Sequence, residues 1–260
     1  MIDKAIHDAL RSKYSPDGSD LRNMQLRQLE ILKAIDQFCR KHDIPYWLEG
    51  GTLLGAVRHG GFIPWDDDID IEMTMKDFHR FCELAENGLP EGLHLQTHKT
   101  DSNYFLDFAK VRDDKGDCLQ SDRADQAYKY KGAFIDIFPV EPTRKGFAYV
   151  IWKANNFLHN RCHCNLTKSC IWHLQKGLTR VARFLTPKHG KLDLCYGRHC
   201  RISMTEDEIL PPVEIEFEGC KFFAPRLTEL YLKNVFGDYM KLPDEVNRLS
   251  HYQFDSNGNF

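Results

Sequence analysis

Four aspartates occupy positions 66, 67, 68 and 70 of the segment GGFIPWDDDIDIE, among apolar residues that predict a buried strand. Two carboxylates about 4 Å apart repel each other by about 4 kcal/mol at an effective dielectric constant of roughly 20. The cluster therefore requires a positive counter-charge. The alternation in DIDIE predicts a strand with its acids on one face and its apolar residues on the other.

Asp68 and Asp70 are two residues apart, so they project from the same face of this strand, about 6 to 7 Å apart along it. Hard oxygen ligands at this spacing suit Mg²⁺ or Mn²⁺. A bound cation would supply the missing positive charge. The alternative is structural: Asp66 and Asp67 form a solvated turn after Pro64, and Asp68 caps a local backbone group.

Asp136 is a candidate third carboxylate, because it is the one acid in the apolar segment AFIDIFPV. A buried charge costs several kcal/mol unless it is paired or bound to a metal. A strand beside the aspartate-rich strand would bring Asp136 to the same cation. Alternatively, Asp136 accepts backbone hydrogen bonds or pairs with Lys110 or Arg112.

The segment EGGTLLGAVRHGG precedes the acids and has features of a phosphate-binding loop. Gly50 and Gly51 allow backbone N–H groups to approach a phosphate, and a helix beginning near Thr52 would direct its positive end at that anion. Arg58 and His59, at the far end of the helix, are further candidate donors. Together with the acids, this segment predicts a nucleotidyl-transfer site.

The chain has 260 residues, of which 42% are hydrophobic, enough for one large domain or a domain with a smaller appendage. It contains no apolar run of roughly 18 residues, and its mixed, charged N-terminus is unlike a secretion signal. These features predict a cytoplasmic protein. The nine cysteines are then reduced thiols or metal ligands rather than disulfides.

Residues 143–201 contain twelve Lys and Arg but one acid, Asp193, and therefore carry a charge of +11. Because the whole chain carries −3, the remaining residues carry −14. Aromatic residues interleave with these cations, which favours contact with a phosphate-bearing substrate, membrane headgroups or nucleic acid. If residues 174–185 are helical, Lys176, Arg180 and Arg183 share one face. The alternative is a solvated helical insertion whose aromatic residues face the core.

The same basic region holds a pool of possible zinc ligands, which raises the alternative of a zinc-stabilised nucleic-acid-binding module. Their spacing matches neither the paired Cys-x₂-Cys pattern nor the classical zinc finger, so packed or surface thiols are the simpler interpretation. The residues concerned are His159, Cys162, His163, Cys164, Cys170, His173, Cys195 and Cys200.

Four segments resemble successive signatures of the LicD/fukutin family of phospho-alcohol transferases: YWLEGGTLLGAVRHGGFIPWDDDIDIEM, FAKVRD, FIDIFPVE and LYLKNVFGDYMKLP. The resemblance spans residues 21–251. It implies an α+β, nucleotidyltransferase-like mixed sheet flanked by helices, with a mainly helical basic insertion. The expected divisions are a catalytic core over 1–142, the insertion over 143–201 and a C-terminal segment over 202–260 that packs back on the core.

The resemblance also implies roles for individual residues. Catalytic and metal-binding roles fall on Asp68, Asp70 and Asp136, with Asp66 as a supporting metal ligand. Donor-binding roles fall on Glu49, Gly50, Gly51, Thr52, Arg58, His59, Lys110 and Arg112. Two departures from the family pattern, Cys118 and Glu141, concern acceptor recognition more than the metal site.

The implied reaction is metal-dependent transfer of a phospho-alcohol from a CDP-activated donor to a hydroxyl of a cell-surface glycan or its lipid-linked precursor. Phosphocholine is the first candidate, and Mg²⁺ or Mn²⁺ is the expected cofactor. An alternative is a nucleotidyltransferase that adds a nucleotide to a small molecule or RNA. We expect peripheral contact with the inner face of the membrane and no nucleic-acid partner.

Overall fold

The computed structural model describes residues 1–116, 127–143, 148–154, 165–187, 190–194 and 202–248. Residues 148–154 form a short helical segment. The other helices are α1 (Lys4–Tyr14), α2 (Asp20–Lys41), α3 (Gly50–His59), α4 (Met75–Gly88), α5 (Asn165–Leu185), α6 (Glu206–Ile209) and α7 (Thr228–Phe236). The strands are β1 (Trp47–Leu48), β2 (Asp70–Thr74), β3 (Leu93–Gln96), β4 (Ala109–Asp113), β5 (Phe134–Pro142), β6 (Leu192–Leu194), β7 (Val213–Phe217) and β8 (Cys220–Ala224).

The main sheet has the strand order β1-β2-β5-β4-β3, and β6 pairs with the far end of β5. Strands β2 and β5 are parallel, whereas the other neighbours are antiparallel. The expected α+β class with a mixed sheet is therefore confirmed. The pairing of β6 also shows that the basic segment 143–201 contributes a strand to the sheet.

Two amphipathic helices cover one face of this sheet. Helix α2 begins where the Ser19 side chain accepts a hydrogen bond from the backbone N–H of Arg22, and α4 begins with a similar cap at Thr74. Phe38 of α2 and Phe81 of α4 meet edge to face, with ring centroids 5.7 Å apart. Helices α2 and α4 therefore lie side by side in one layer against the sheet.

The opposite face of the sheet carries the acids. Arg27 of α2 forms an ion pair with Asp113 of β4. Because alternate residues of a strand share a face, Ala109 and Val111 also face α2. The register pairs Asp70 with Asp136 and Asp136 with Lys110, on the other face. The predicted alternation of β2 thus places its acids on the face opposite α2.

The hairpin β7–β8 was not predicted from the sequence. Glu218 and Gly219 form its two-residue turn, with positive φ values of 51° and 71°, as type I′ turns require. Glu218 accepts hydrogen bonds from the Arg22 guanidinium at 2.6 Å and from the Phe62 N–H at 3.1 Å. A Cβ on Gly61 would lie only 2.2 Å from Glu218 Oε1, so this close approach requires glycine.

The other predicted elements agree with the structure in type more than in their ends. Hydrophobic periodicity predicts a strand over 105–111 and a helix over 227–240. The strand is observed at Ala109–Asp113, and the helix ends at Phe236. Within the described part of the chain, no helix has the length and apolarity needed to cross a bilayer. The three-part domain division stays a prediction.

Candidate active site

A cross-strand row of charged residues lies on the face of the sheet opposite α2: Asp70, Asp136 and Lys110. Lys110 Nζ lies 2.6 Å from Asp136 Oδ1, and the Lys110 side chain is only 4% exposed. The same ammonium lies 3.5 Å from the centroid of the Phe134 ring, a favourable cation–π distance. The pairing of Asp136 with Lys110, one of the alternatives left open by the sequence, is therefore present.

A second group of acids lies in the loop that leads into β2. One carboxylate oxygen from each of Asp66, Asp67 and Asp68 lies within 4.8 Å of the others. Asp67 is completely buried, so a solvated turn is wrong for this residue. Oxygen ligands of a single Mg²⁺ lie at most about 4.2 Å apart, so the spacing within the triplet is close to that around one ion. The donor set therefore fits the expected cation. Among the described residues, the expected ligands Asp70 and Asp136 are not part of this group.

Two buried glutamines of α2 hold the backbone of this acidic loop. Gln25 Nε2 donates to the Asp66 carbonyl at 2.8 Å, and Gln28 Nε2 donates to the Asp67 carbonyl at 2.8 Å. Gln28 also donates to the Phe134 carbonyl of β5 at 3.3 Å. Sequence reasoning missed both residues, although two glutamines three positions apart within the apolar face of a helix are a readable signal.

The N-terminus of α3 lies beside the acidic loop, and the backbone joins the two. The Glu49 N–H donates to the Asp70 carbonyl at 3.0 Å, and the Asp70 N–H donates to Thr52 Oγ1 at 2.9 Å. A Cβ on Gly51 would lie 2.6 Å from Asp66 Oδ2, so a larger residue there would displace the carboxylate. The predicted phosphate loop and the predicted metal ligands are thus neighbours.

Gly50 lies at the first position of α3 with a φ of 48°, in the left-handed region that favours glycine. This conformation turns the chain from β1 into the helix. The helix N-terminus carries a partial positive charge, which is favourable for Asp66 and for an incoming phosphate. Donor binding by Glu49, Gly50, Gly51 and Thr52 stays a prediction.

Arg58 and His59 lie at the other end of α3 and contact the chain termini. Arg58 Nη1 donates to the carbonyls of Tyr239 at 3.0 Å and Lys241 at 3.3 Å. Burial lowers the pKa of Arg58 to about 10, although Asp66 acts in the opposite direction. Burial, followed by the positive charge of Arg58 and the proximity of His7, lowers the pKa of His59 to about 3.

His59 is therefore neutral at pH 7, and Arg58 supports the C-terminal segment.

A separate buried cation, Arg112, donates to Gln96 at 2.7 Å and to the Gly132 carbonyl at 2.9 Å, and lies over the Phe134 ring. Arg58, His59 and Arg112 therefore all have structural roles. Their donor-binding roles stay predictions.

Glu72 is a further acid on the same face as Asp70 that sequence reasoning did not assign to the site. It is completely buried, and its Oε2 accepts hydrogen bonds from Trp47 Nε1 at 2.6 Å and from the Tyr231 hydroxyl at 3.1 Å. The period of two in DIDIE already places Glu72 on the same face as Asp70. The contact with Tyr231 fixes α7 to β2.

A cavity of about 450 Å³ lies between α4, the β3 edge and α5. Its lining includes Phe108, Asp107, Glu83, His98 and Trp172. The Phe108 ring also lies 5.6 Å from Lys110 Nζ, so the cavity and the charged row share a wall.

The zinc hypothesis falls mostly outside the described residues. Cys170 and His173 lie in α5. The other candidate ligands, and also Cys118, are outside the described residues: His159, Cys162, His163, Cys164, Cys195 and Cys200.

The candidate site thus combines a mixed sheet carrying a row of charged residues with a glycine-started helix and an acidic loop. Residues 43–189 match the family model described as LicD/FKTN/FKRP, nucleotidyltransferase domain. Because this match covers more than half of the chain, the protein belongs to that family, and the resemblance read from the sequence is confirmed.

Individual relatives extend this result. The chain is 29% identical to lipopolysaccharide cholinephosphotransferase LicD of Haemophilus influenzae over 258 residues, 89% of this chain and 96% of that protein. It is 30% identical to mouse ribitol-5-phosphate transferase FKTN over 112 residues, 42% of this chain and 24% of that protein. A match of 59% identity to human ribitol 5-phosphate transferase FKRP covers 34 residues, 13% of this chain and 7% of that protein.

Proposed function

We propose that this protein transfers a phospho-alcohol, with phosphocholine as the first candidate, from a CDP-activated donor to a hydroxyl of a glycan or its lipid-linked precursor. The observation that carries the proposal is the acidic triplet, whose carboxylates lie within 4.8 Å of one another beside the N-terminus of α3. The names of the relatives support the reaction class, because they are a cholinephosphotransferase and two ribitol-phosphate transferases.

Asp66, Asp68, Asp70 and Asp136 are the proposed ligands of Mg²⁺ or Mn²⁺. A divalent cation there would neutralise charge on the donor diphosphate. The first backbone N–H groups of α3, at Gly51 and Thr52, would bind a phosphate, since donors at a helix N-terminus point at the anion.

The acceptor hydroxyl would attack the phosphorus of the phospho-alcohol, so that a new O–P bond forms while the P–O bond to CMP breaks. A carboxylate of the acidic loop would accept the hydroxyl proton, and CMP would leave with the electron pair of the broken bond. We place the acceptor in the cavity that shares Phe108 with the charged row, because its aromatic and polar lining is typical of ligand sites.

A thermal-shift panel tests the donor. CDP-choline, CDP-ethanolamine, CDP-ribitol, CDP-glycerol, CTP and UTP are compared with and without Mg²⁺. A ligand at one hundred times its dissociation constant stabilises the folded state by about 2.7 kcal/mol. We expect a Mg²⁺-dependent shift for a CDP-alcohol; shifts with CTP and UTP alone would contradict the proposed donor.

Asp68→Asn tests the acidic loop, with Asp8→Asn as a matched loss of one exposed carboxylate on α1. We expect Asp68→Asn to abolish transfer while the protein stays folded, because one repelling carboxylate is removed. Asp8→Asn should retain transfer. Near-normal turnover of Asp68→Asn would overturn the metal mechanism.

The position of a radioactive label separates phospho-alcohol transfer from nucleotide transfer. CDP-choline labelled in the choline is compared with CDP-choline labelled in the cytidine, with lipopolysaccharide as acceptor. We expect only the choline label to reach the acceptor, and the cytidine label to appear as CMP. Cytidine label on the acceptor would instead establish nucleotidyl transfer.

A further inference from the structure

Helix α5 presents a row of apolar residues to solvent and buries two polar residues against the protein. Leu174, Leu178, Val181, Phe184 and Leu185, which we name the α5 stripe, are exposed by 64%, 49%, 55%, 88% and 46%. Positions 174, 178, 181 and 185 recur at helical spacing, so they form one continuous row. Single exposed apolar residues are common, but a continuous row on one helix indicates a contact surface.

The inward face of the same helix is unusual for a packed helix. Gln175 and Thr179 are buried, with exposures of 3% and 4%, beside Trp172 and Ala182. Neither the amide nitrogen nor the amide oxygen of Gln175 has a hydrogen-bond partner within the described part of the chain. The apolar side of α5 is therefore not the side that the fold uses for packing.

Ion pairs hold α5 in this orientation. Lys176 pairs with Asp107, and Arg183 forms two hydrogen bonds with Glu141, at 2.6 and 2.9 Å. The sequence suggested that Lys176, Arg180 and Arg183 together face an anionic surface. In the structure Lys176 and Arg183 pair with acids of the core, although both side chains are 37% exposed, and Arg180 is exposed as well. Contact of the three cations with an anionic surface stays a prediction.

We propose that the α5 stripe inserts into the interfacial layer of an anionic phospholipid bilayer, with the helix lying parallel to the membrane surface. An interfacial helix of this kind buries its apolar face at the boundary of headgroups and acyl chains. Its 21 residues correspond to about 32 Å of helix, long enough to lie along the surface.

Charge decides between the possible occupants of the stripe. Two described cations beside the stripe are exposed, Lys153 in segment 148–154 and Arg180 on α5, and the sequence from 143 to 201 carries +11. A second copy of the chain would bring two such segments together, whereas anionic headgroups complement them. The neighbouring helical segment 148–154, which packs on α5 through Ile151 and Ala182, adds the exposed residues Tyr149 and Val150.

Vesicle sedimentation tests the proposal with the full chain. The double variant Leu178→Gln/Val181→Gln makes the stripe polar, and Ile6→Gln/Leu26→Gln is the matched control on α1 and α2, with exposures of 49% and 42%. The probes are phosphatidylcholine vesicles with and without phosphatidylglycerol. We expect the parent and the control to sediment with the anionic vesicles, and the stripe variant to bind at least tenfold more weakly.

Salt separates the apolar from the electrostatic part of binding. Screening of exposed charges weakens the attraction of Lys and Arg, so the binding that persists at high salt reports apolar insertion. We expect the stripe variant to lose this salt-resistant part. Equal binding of the stripe variant and the parent, or no binding of the parent, would overturn the proposal.

Sedimentation velocity without lipid tests the second-copy alternative. We expect a monomer for the parent and for both double variants. A parent dimer that the stripe substitutions dissociate would overturn the membrane proposal and assign the stripe to self-association. Both experiments are independent of catalysis, so the proposal stands or falls separately from the proposed reaction.

Discussion

Lys110 and Asp136 are cross-strand neighbours of β4 and β5, and their side chains form an ion pair with 2.6 Å between Nζ and Oδ1. The protein itself therefore supplies a counter-charge to Asp136, the predicted site acid that is farthest in sequence from the others. The ammonium is enclosed by the Phe134 ring below it and is nearly inaccessible to water. Such a pair is costly to break, because removal of one partner leaves a poorly solvated charge.

Lys110→Met tests this pair through stability. We expect the free energy of unfolding without metal to fall by about 3 kcal/mol, because Asp136 loses its counter-charge. Urea unfolding gives the value. If Asp136 is a metal ligand, added Mg²⁺ should recover part of the loss.

The double variant Lys110→Met/Asp136→Asn is the control for that measurement. It removes both charges, so we expect it to be more stable than Lys110→Met alone. A double variant as unstable as the single variant would mean that lysine packing, rather than the ion pair, accounts for the loss.

Gly51→Ala tests the contact between α3 and the acidic loop. The added Cβ would lie 2.6 Å from Asp66 Oδ2, so the carboxylate must move away from the N-terminus of α3. We expect Mg²⁺-dependent binding of CDP-choline, measured by calorimetry, to weaken at least tenfold. Stability should change little, because the cost of moving the carboxylate is offset by the higher helix propensity of alanine, which is about 1 kcal/mol better than that of glycine.

Gly177→Ala is the matched control, because a Cβ at this position of α5 meets nothing within 4 Å. It should leave donor binding unchanged. Donor binding by Gly51→Ala equal to that of the parent would show that the position of Asp66 is not critical.

Gln28→Met tests the support of the acidic loop from α2. The substitution keeps the side-chain length but removes the donor to the carbonyls of Asp67 and Phe134. Each buried carbonyl left without its partner costs about 1 to 3 kcal/mol, so we expect the loss of both bonds to lower stability by about 2 to 6 kcal/mol. We also expect the turnover number to fall more than the donor affinity.

Gln37→Met, at an exposed position of the same helix, is its control and should match the parent in both measurements. A Gln28→Met protein that is less stable but has unchanged turnover would assign Gln28 to folding alone.

The buried His59 predicts a pH dependence of stability. Its pKa is lowered from 6.5 to about 3 in the folded protein, so between these values the unfolded chain binds the additional proton. Stability is therefore lost as pH falls below about 6.5, by at most about 1.4 kcal/mol per pH unit.

His59→Gln removes the titrating group and keeps an acceptor for Arg58 Nε, which donates to His59 Nε2 at 3.0 Å. Urea unfolding of both proteins between about pH 7 and 5 isolates the histidine, because other groups cancel in the difference. We expect the stability advantage of the parent to shrink on acidification. A constant difference would mean that His59 titrates normally.

Much of the local structure could be predicted because it follows from periodicity. Helix α2, the alternation of DIDIE, the glycine-started helix α3 and the apolar strand around Asp136 are each encoded within about twenty residues. The hairpin β7–β8 was missed, since its turn depends on Glu218 in a left-handed conformation.

The sequence by itself determined that the acids of β2 share one face and that glycines lie at the start of α3, because both are consequences of backbone geometry. Only the tertiary structure decided that Asp136 faces Lys110, that Gln28 holds the acidic loop, and that the α5 stripe faces outward. These relationships depend on strand register and on which helix face meets the sheet. Both are set by contacts between residues distant in sequence, whose energies local patterns do not contain.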